Sequence, residues 1–327
     1  MSMRPVLHSW RSGLQAATSN KRLITLTYCF NLLLALVLAI PFFGVLKTGA
    51  SSSLAPASLL AGFDHTVYED FMREHKDAVW ALVNQVKWMA FAYLLFNVLL
   101  SGGILQTLAQ CQSFSLSSFF EGCGRYFARF FRLLLFVTIL QAIVAAVVYI
   151  PLAVFFSVNE AVEVESSLFF IGLSGFLLHL FLFGWILLIG DYARISLFRN
   201  DSTRVLRAMW RAAKFVSRHF AKTYGLYVAV VLFPLALFLF YFLVDSQVTM
   251  RTPLTIVLVL LVQQLFIWLR VGAKVWLLGS ELALHTLMQP LEEQSVVTEV
   301  EDPARLAAPT DSLSHTELDV LESKTLP

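Results

Sequence analysis

Six long apolar blocks constrain this chain more than any other feature. They cover residues 23–46, 88–105, 133–156, 168–190, 224–244 and 254–278. A helix needs roughly 20 mostly apolar residues to cross a hydrocarbon core of about 30 Å. Each block meets or approaches that length, and none alternates with period two. Lipid leaves backbone polar groups no outside partner, so helices are the only spanning option for such blocks. Composition agrees: 58% of residues are hydrophobic and 14% charged, against about 45–50% and about 25% in soluble domains. The first block lies too deep in the chain, and runs too long, for a cleavable signal peptide. These features predict an all-α, polytopic membrane helical bundle with six transmembrane helices.

The distribution of cations predicts its orientation, because Lys and Arg accumulate in cytoplasmic loops. Arg4, Arg11, Lys21 and Arg22 precede the first block, and Arg125, Arg129 and Arg132 precede the third. Eight basic residues lie between Asp191 and Tyr224, ahead of the fifth. The loop after the third block has Glu160, Glu163 and Glu165 and no cation, while the loop after the fifth has Arg251 alone. Both termini are therefore expected in the cytoplasm. The domain plan is a cytoplasmic N-terminal amphipathic segment at 1–22, a transmembrane domain at 23–288 and an acidic cytoplasmic tail at 289–327. The tail holds nine acidic and two basic residues with no sustained apolar period, which predicts disorder.

Spacing suggests three pseudo-repeated hairpins with interfacial amphipathic helices. The even blocks end at Gly102, Gly190 and Gly279, 88 and then 89 residues apart. The odd blocks each hold one proline: Pro41, Pro151 and Pro234. Arg22 precedes Pro41 by 19 residues and Arg132 precedes Pro151 by 19, but Lys222 precedes Pro234 by only 12. Such repeats are familiar in transporters.

Two sets of residues stand out as candidate sites. Arg204, Arg207, Arg211, Lys214, Arg218 and Lys222 recur every three or four residues, which puts six cations on one helical stripe. Val205, Leu206, Met209, Trp210, Ala213, Val216 and Phe220 fill much of the remaining surface. This is the pattern of a helix lying in the interface, its cations toward anionic headgroups. Residues 114–132 repeat it more weakly. The second set is Asp191, Arg194, Gln264, Arg270 and Lys274, polar groups inside or at the inner ends of the fourth and sixth blocks, with Glu281 just beyond. Ionisable residues at membrane depth suggest function by default, and Asp191 is expected to pair with Arg270 or Lys274. Snorkelling and interhelical hydrogen bonds give the same residues a purely structural role.

Catalytic signatures are missing: no GxxxxGK[ST], GxGxxG, GxSxG or HExxH occurs. Gly172-Leu-Ser-Gly175 has the wrong spacing for a nucleophile elbow and suits close helix approach. Cys29, Cys111 and Cys123 form no CxxC or Cys/His pattern, so no metal site or cofactor is expected. His65 and Glu69 share a face of an external helix expected at 64–87, an arrangement that a solvated face explains as well as a metal does.

The stretch Gly190-Asp-Tyr-Ala-Arg-Ile-Ser-Leu, followed by Ala208-Met-Trp-Arg-Ala-Ala-Lys-Phe-Val-Ser-Arg-His, resembles uncharacterised bacterial six-span membrane proteins. The layout over residues 1–288 also resembles the membrane domain fused to some glycerophosphodiester phosphodiesterases. The resemblance implies a bacterial inner-membrane location and brings no catalytic motif. The expectation is a non-enzymatic membrane protein that organises lipids or a partner, with anionic headgroups at the cytoplasmic face, a possible protein partner for the tail and no nucleic acid. The alternative is a small transporter or lipid-handling carrier with a polar path near the fourth and sixth spans.

Overall fold

A computed structural model describes residues 4–51, 65–74, 76–110, 114–158, 165–247 and 253–289. These residues are 95% helical, with no strands. Met1–Leu287 make one compact unit, and a second unit begins at Met288. The helices of the described residues are α1 (Arg4–Ser19), α2 (Lys21–Ser51), α3 (His65–Glu74), α4 (Lys76–Ala109) and α5 (Leu116–Val158). They continue with α6 (Glu165–Arg199), α7 (Val205–Arg218), α8 (Phe220–Gln247) and α9 (Pro253–Met288). The tail expected at 289–327 falls almost wholly outside the described residues, as does Cys111.

Six helices, α2, α4, α5, α6, α8 and α9, are long and apolar enough to cross a membrane. Their exposed surface is rich in large apolar side chains, among them Ile40, Trp88, Val147, Phe169, Phe240 and Leu261. A water-soluble protein rarely shows so much contiguous apolar surface; here it faces lipid. The chain is a polytopic membrane protein.

The spans pair as antiparallel neighbours. Gln85 on α4 donates to the Val37 carbonyl on α2 at 3.3 Å. Gln141 on α5 donates to the Phe183 carbonyl on α6 at 3.1 Å. Gln263 on α9 donates to the Tyr241 hydroxyl on α8 at 2.8 Å. Gly175 faces α5 as its sequence context suggested, since a Cβ there would sit 3.1 Å from Leu152. Pro41, Pro151 and Pro234 lie inside α2, α5 and α8, which run on past them as helix.

The helices overrun the apolar blocks, mostly toward one end. The 43 residues of α5 span about 65 Å at 1.5 Å each, twice the hydrocarbon thickness. Of the segment expected as an amphipathic helix at 114–132, residues 116–132 are the first part of α5. The overrun builds a layer at the end of the bundle that carries Gly102, Gly190 and Gly279, called here the basic end. Most buried side chains lie there, including Leu23, Ile104, Phe119, Phe130, Leu188, Tyr192, Val216, Val275 and Leu284. In the opposite half, Leu82 and Val259 are the buried apolar side chains among the described residues.

Candidate functional site

Side-chain burial gives α7 three faces. Val205, Ala208, Ala212, Phe215 and Val216 are buried against the bundle, with Phe215 packed on Tyr192 of α6 at 5.2 Å. This spacing of three, four, three and one is the row a helix buries on one side. At about 100° per residue, Arg207, Arg211, Lys214 and Arg218 form a second row, and all four are exposed. A third row carries Leu206 and Trp210, which are 60% and 76% exposed. A helix buried on one side still shows both a basic and an apolar row.

The six-cation stripe is shorter than the sequence suggested. The helix stops at His219, whose N–H still donates to the Phe215 carbonyl at 3.0 Å, and the chain restarts as α8. Lys222 therefore stands on α8 and is half-buried, while Arg204 precedes α7 and is exposed. Burial, then the nearby Lys222 and Arg218, pushes the His219 imidazole below its ordinary range, so His219 adds no charge at neutral pH.

The fainter basic pattern on α5 has a different purpose. Arg125 donates to Asp201 at 2.8 Å, and Arg129 donates to the other oxygen of the same carboxylate. Asp201 closes the turn between α6 and α7. The two arginines hold its carboxyl below the usual carboxylate range, Arg129 first and Arg125 next. They fasten α5 to that turn, whereas the four cations of the α7 row have no ion-pair partner among the described residues.

The second predicted set separates. Asp191 accepts from Arg194, three residues on in the same helix, at 3.0 Å. Among the described residues it has no ion pair with Arg270 or Lys274, which corrects the expected cross-bundle bridge. A neighbour one helical turn away offers a counter-charge without moving a second helix. Lys274 instead donates to Asn97 of α4, although it lies close enough to act on Asp191 through space. Arg270 is exposed. Gln264 lies ten residues from Lys274, about 15 Å along α9, and accepts from the Tyr28 hydroxyl of α2 at 2.7 Å. Gln264 thus stands apart from the Asp191 group, while Arg270 lies at its exposed edge, within electrostatic reach of Lys274.

The group that does form adds residues which sequence reasoning left aside. Glu281 is fully buried within electrostatic reach of Asp191 and Arg194. Neither of its carboxylate oxygens has a hydrogen-bond partner among the described residues, and the same holds for the Tyr192 hydroxyl. His285 is buried next to them, its Nδ1 2.8 Å from a nitrogen of Arg199. Two carboxylates, Asp191 and Glu281, thus face two cations, Arg194 and Lys274. A buried, unpartnered acid was invisible in the sequence because Glu281 lies beyond the apolar block, where a solvated end was the natural expectation.

Three cavities of the described residues lie elsewhere, beside α1, and two of them meet at the α1–α2 elbow. One of about 770 Å³ is lined by polar groups of the α1–α2 elbow, Lys21 and Arg22 among them. The other, about 390 Å³, is lined by Trp10, Phe233, Trp268 and Trp276, with Lys21 at its edge. Among the described residues no three His, Cys, Asp or Glu side chains converge as a metal site would need. No family model, curated protein or solved structure matches the chain.

Proposed function

We propose that this protein is a non-enzymatic membrane protein that organises anionic lipid at the cytoplasmic face of a bacterial inner membrane, with both termini in the cytoplasm. One observation carries the reading: α7 is anchored to the bundle by one row while Leu206 and Trp210 stay exposed beside a row of four exposed cations. An apolar row beside a cationic row fits the boundary between acyl chains and headgroups, and each cation contributes about 1 kcal/mol near an anionic surface. The acidic tail is a second, protein-binding element. Spin labels at residues 206, 210 and 214, read in nanodiscs, test the placement. Residues 206 and 210 are expected to be open to oxygen and shielded from an aqueous relaxation agent, with residue 214 the reverse. Water exposure at residue 210 would reject it. Changing Arg207, Arg211 and Lys214 to Gln is expected to remove a preference for phosphatidylglycerol over phosphatidylcholine.

The repeat belongs to the same reading, and two equivalent contacts support it. Gly102 of the first pair approaches Gly122 of the next unit, where a Cβ would meet the Gly122 carbonyl at 2.5 Å. Gly279 of the last pair approaches Gly13 of the first unit, 3.3 Å from a would-be Cβ to the Gly13 Cα. The last unit thus touches the first, a contact that a ring of three would use, whereas Gly190 of the middle pair faces Val137 of its own pair.

Glu281 favours a second reading, a small carrier with a polar path near the fourth and sixth spans. A buried carboxylate without a partner is suited to taking up and releasing a proton. Proteoliposomes under a potassium diffusion potential would show proton uptake that Glu281→Gln abolishes; a flux equal to that of protein-free vesicles sinks this reading.

A further inference from the structure

We infer that the α1–α2 elbow and α9 form a discrete site for one anionic glycerophospholipid, its phosphate on Lys21 and Arg22 and an acyl chain in the cleft beside α9. Two of the cavities at α1 occupy opposite flanks of that helix and meet at its C-terminal end, where Thr18 and Lys21 line both. They differ in chemistry. The larger, about 770 Å³, is lined by Ser12, Gln15, Asn20, Lys21 and Arg22, with no carboxylate among the described residues. The smaller, about 390 Å³, is walled by Trp10, Phe233, Trp268 and Trp276, with Ile24 and Gly272. Both sizes are those of ligand sites, about 300–1,000 Å³.

Charge favours an anion at the junction. Lys21 and Arg22 begin α2, whose first turn has no acidic residue, so two cations sit at the positive end of a helix where they are unfavourable unless compensated. Neither has an ion-pair partner among the described residues. Depth favours a lipid over a soluble anion. From Trp276 to Trp268 the cleft follows α9 for eight residues, about 12 Å, close to half of a 30 Å hydrocarbon core.

The walls are set before any lipid arrives. The Trp276 indole N–H donates to the Trp10 carbonyl at 3.0 Å, and the Trp268 N–H donates to Thr25 Oγ1 at 3.2 Å. The rings of Trp10 and Trp276 meet edge-on at 5.1 Å, and Phe233 packs on Trp276 at 5.5 Å. Gly272 leaves the space open: a Cβ there makes only ordinary contact with Ile24 at 3.5 Å. An acidic peptide such as the tail could neutralise the two cations, but residues 290–327 hold no Phe, Tyr or Trp side chain and no sustained apolar run to fill a cleft walled by three tryptophans.

The site does not rest on the α7 reading, and native mass spectrometry of the full-length, delipidated protein in detergent separates the two. Added phosphatidylglycerol is expected to give one dominant adduct, about tenfold favoured over phosphatidylcholine. Lys21→Gln with Arg22→Gln removes that preference, and Gly272→Leu, which fills the cleft, weakens both lipids. Arg207→Gln with Arg211→Gln leaves the single adduct unchanged. Several equal adducts, an adduct indifferent to Gly272→Leu, or competition by inorganic phosphate as strong as by lipid would each overturn the site. Circular dichroism and elution volume of each variant separate loss of binding from loss of fold.

Discussion

Asp201 joins three elements through one side chain. Its φ of 42° is the positive value found at a non-glycine position among the described residues, a conformation that Asp and Asn tolerate better than other side chains. Its carboxylate then takes Arg125 and Arg129. Asp201→Ala loses the backbone fit and both ion pairs, whereas Asp201→Asn keeps the first. Exposed pairs of this kind are weak because water screens them, so the larger loss is the backbone fit. Thermal unfolding in detergent should therefore fall in the order wild type, Asn, Ala. The carboxyl is held below its usual range, so its stabilisation is present above the ordinary carboxylate pKa and disappears as pH drops below about 4. The gap between wild type and Asp201→Asn should close in that window; a constant gap would mean the arginines contribute nothing. Glu281 predicts the opposite sign. A buried carboxylate lacking hydrogen bonds is destabilising, so Glu281→Met should raise the unfolding midpoint by a few degrees, corresponding to about 1–3 kcal/mol. A lower midpoint would reveal a compensating partner.

Among the elements, α1 depends most on the absence of side-chain atoms. It rests on α9 through Ser9, Gly13 and Ala17, its buried residues. A Cβ at Gly13 would fall 2.1 Å from Ser280 Oγ and 2.5 Å from the Ser280 nitrogen. Gly13→Val should therefore cost about 1–3 kcal/mol and expose α1 to protease, while Gly272→Ala at an open position should be silent. Equal digestion of Gly13→Val and wild type would rule out this contact. Small residues let helices approach within a membrane protein, and Gly102 against Gly122 uses the same device between α4 and α5. The sequence made α7 legible because period and charge coincide there. It misplaced the end of the stripe because nothing in the local pattern marks His219 as a break. The run Met209 to Phe220 contains neither glycine nor proline.

At the scale of the whole molecule, the proposed topology makes one simple prediction. After removal of the native thiols, a cysteine at Ser157 should react with impermeant reagent from outside intact cells, and one at Ser202 should not; the reverse would invert the bundle. The basic end also explains how a chain with six lipid-facing helices stays assembled. Hydrophobic burial does not draw helices together within lipid, and the bundle is accordingly tight where the helices overrun the apolar blocks into the layer of α1, α7 and the start of α5. The sequence by itself determined the all-helical class, the six spans and the cationic row, because each depends only on spacing along the chain and on the transfer of side chains from water. It could not determine partners. Whether Asp191 meets Arg194 or Lys274, whether Arg129 faces lipid or Asp201, and whether Glu281 is solvated or enclosed depend on which helices lie side by side. Periodicity fixes the direction of a side chain around its own helix and carries no information about the helix it meets, so only the tertiary structure decided those contacts.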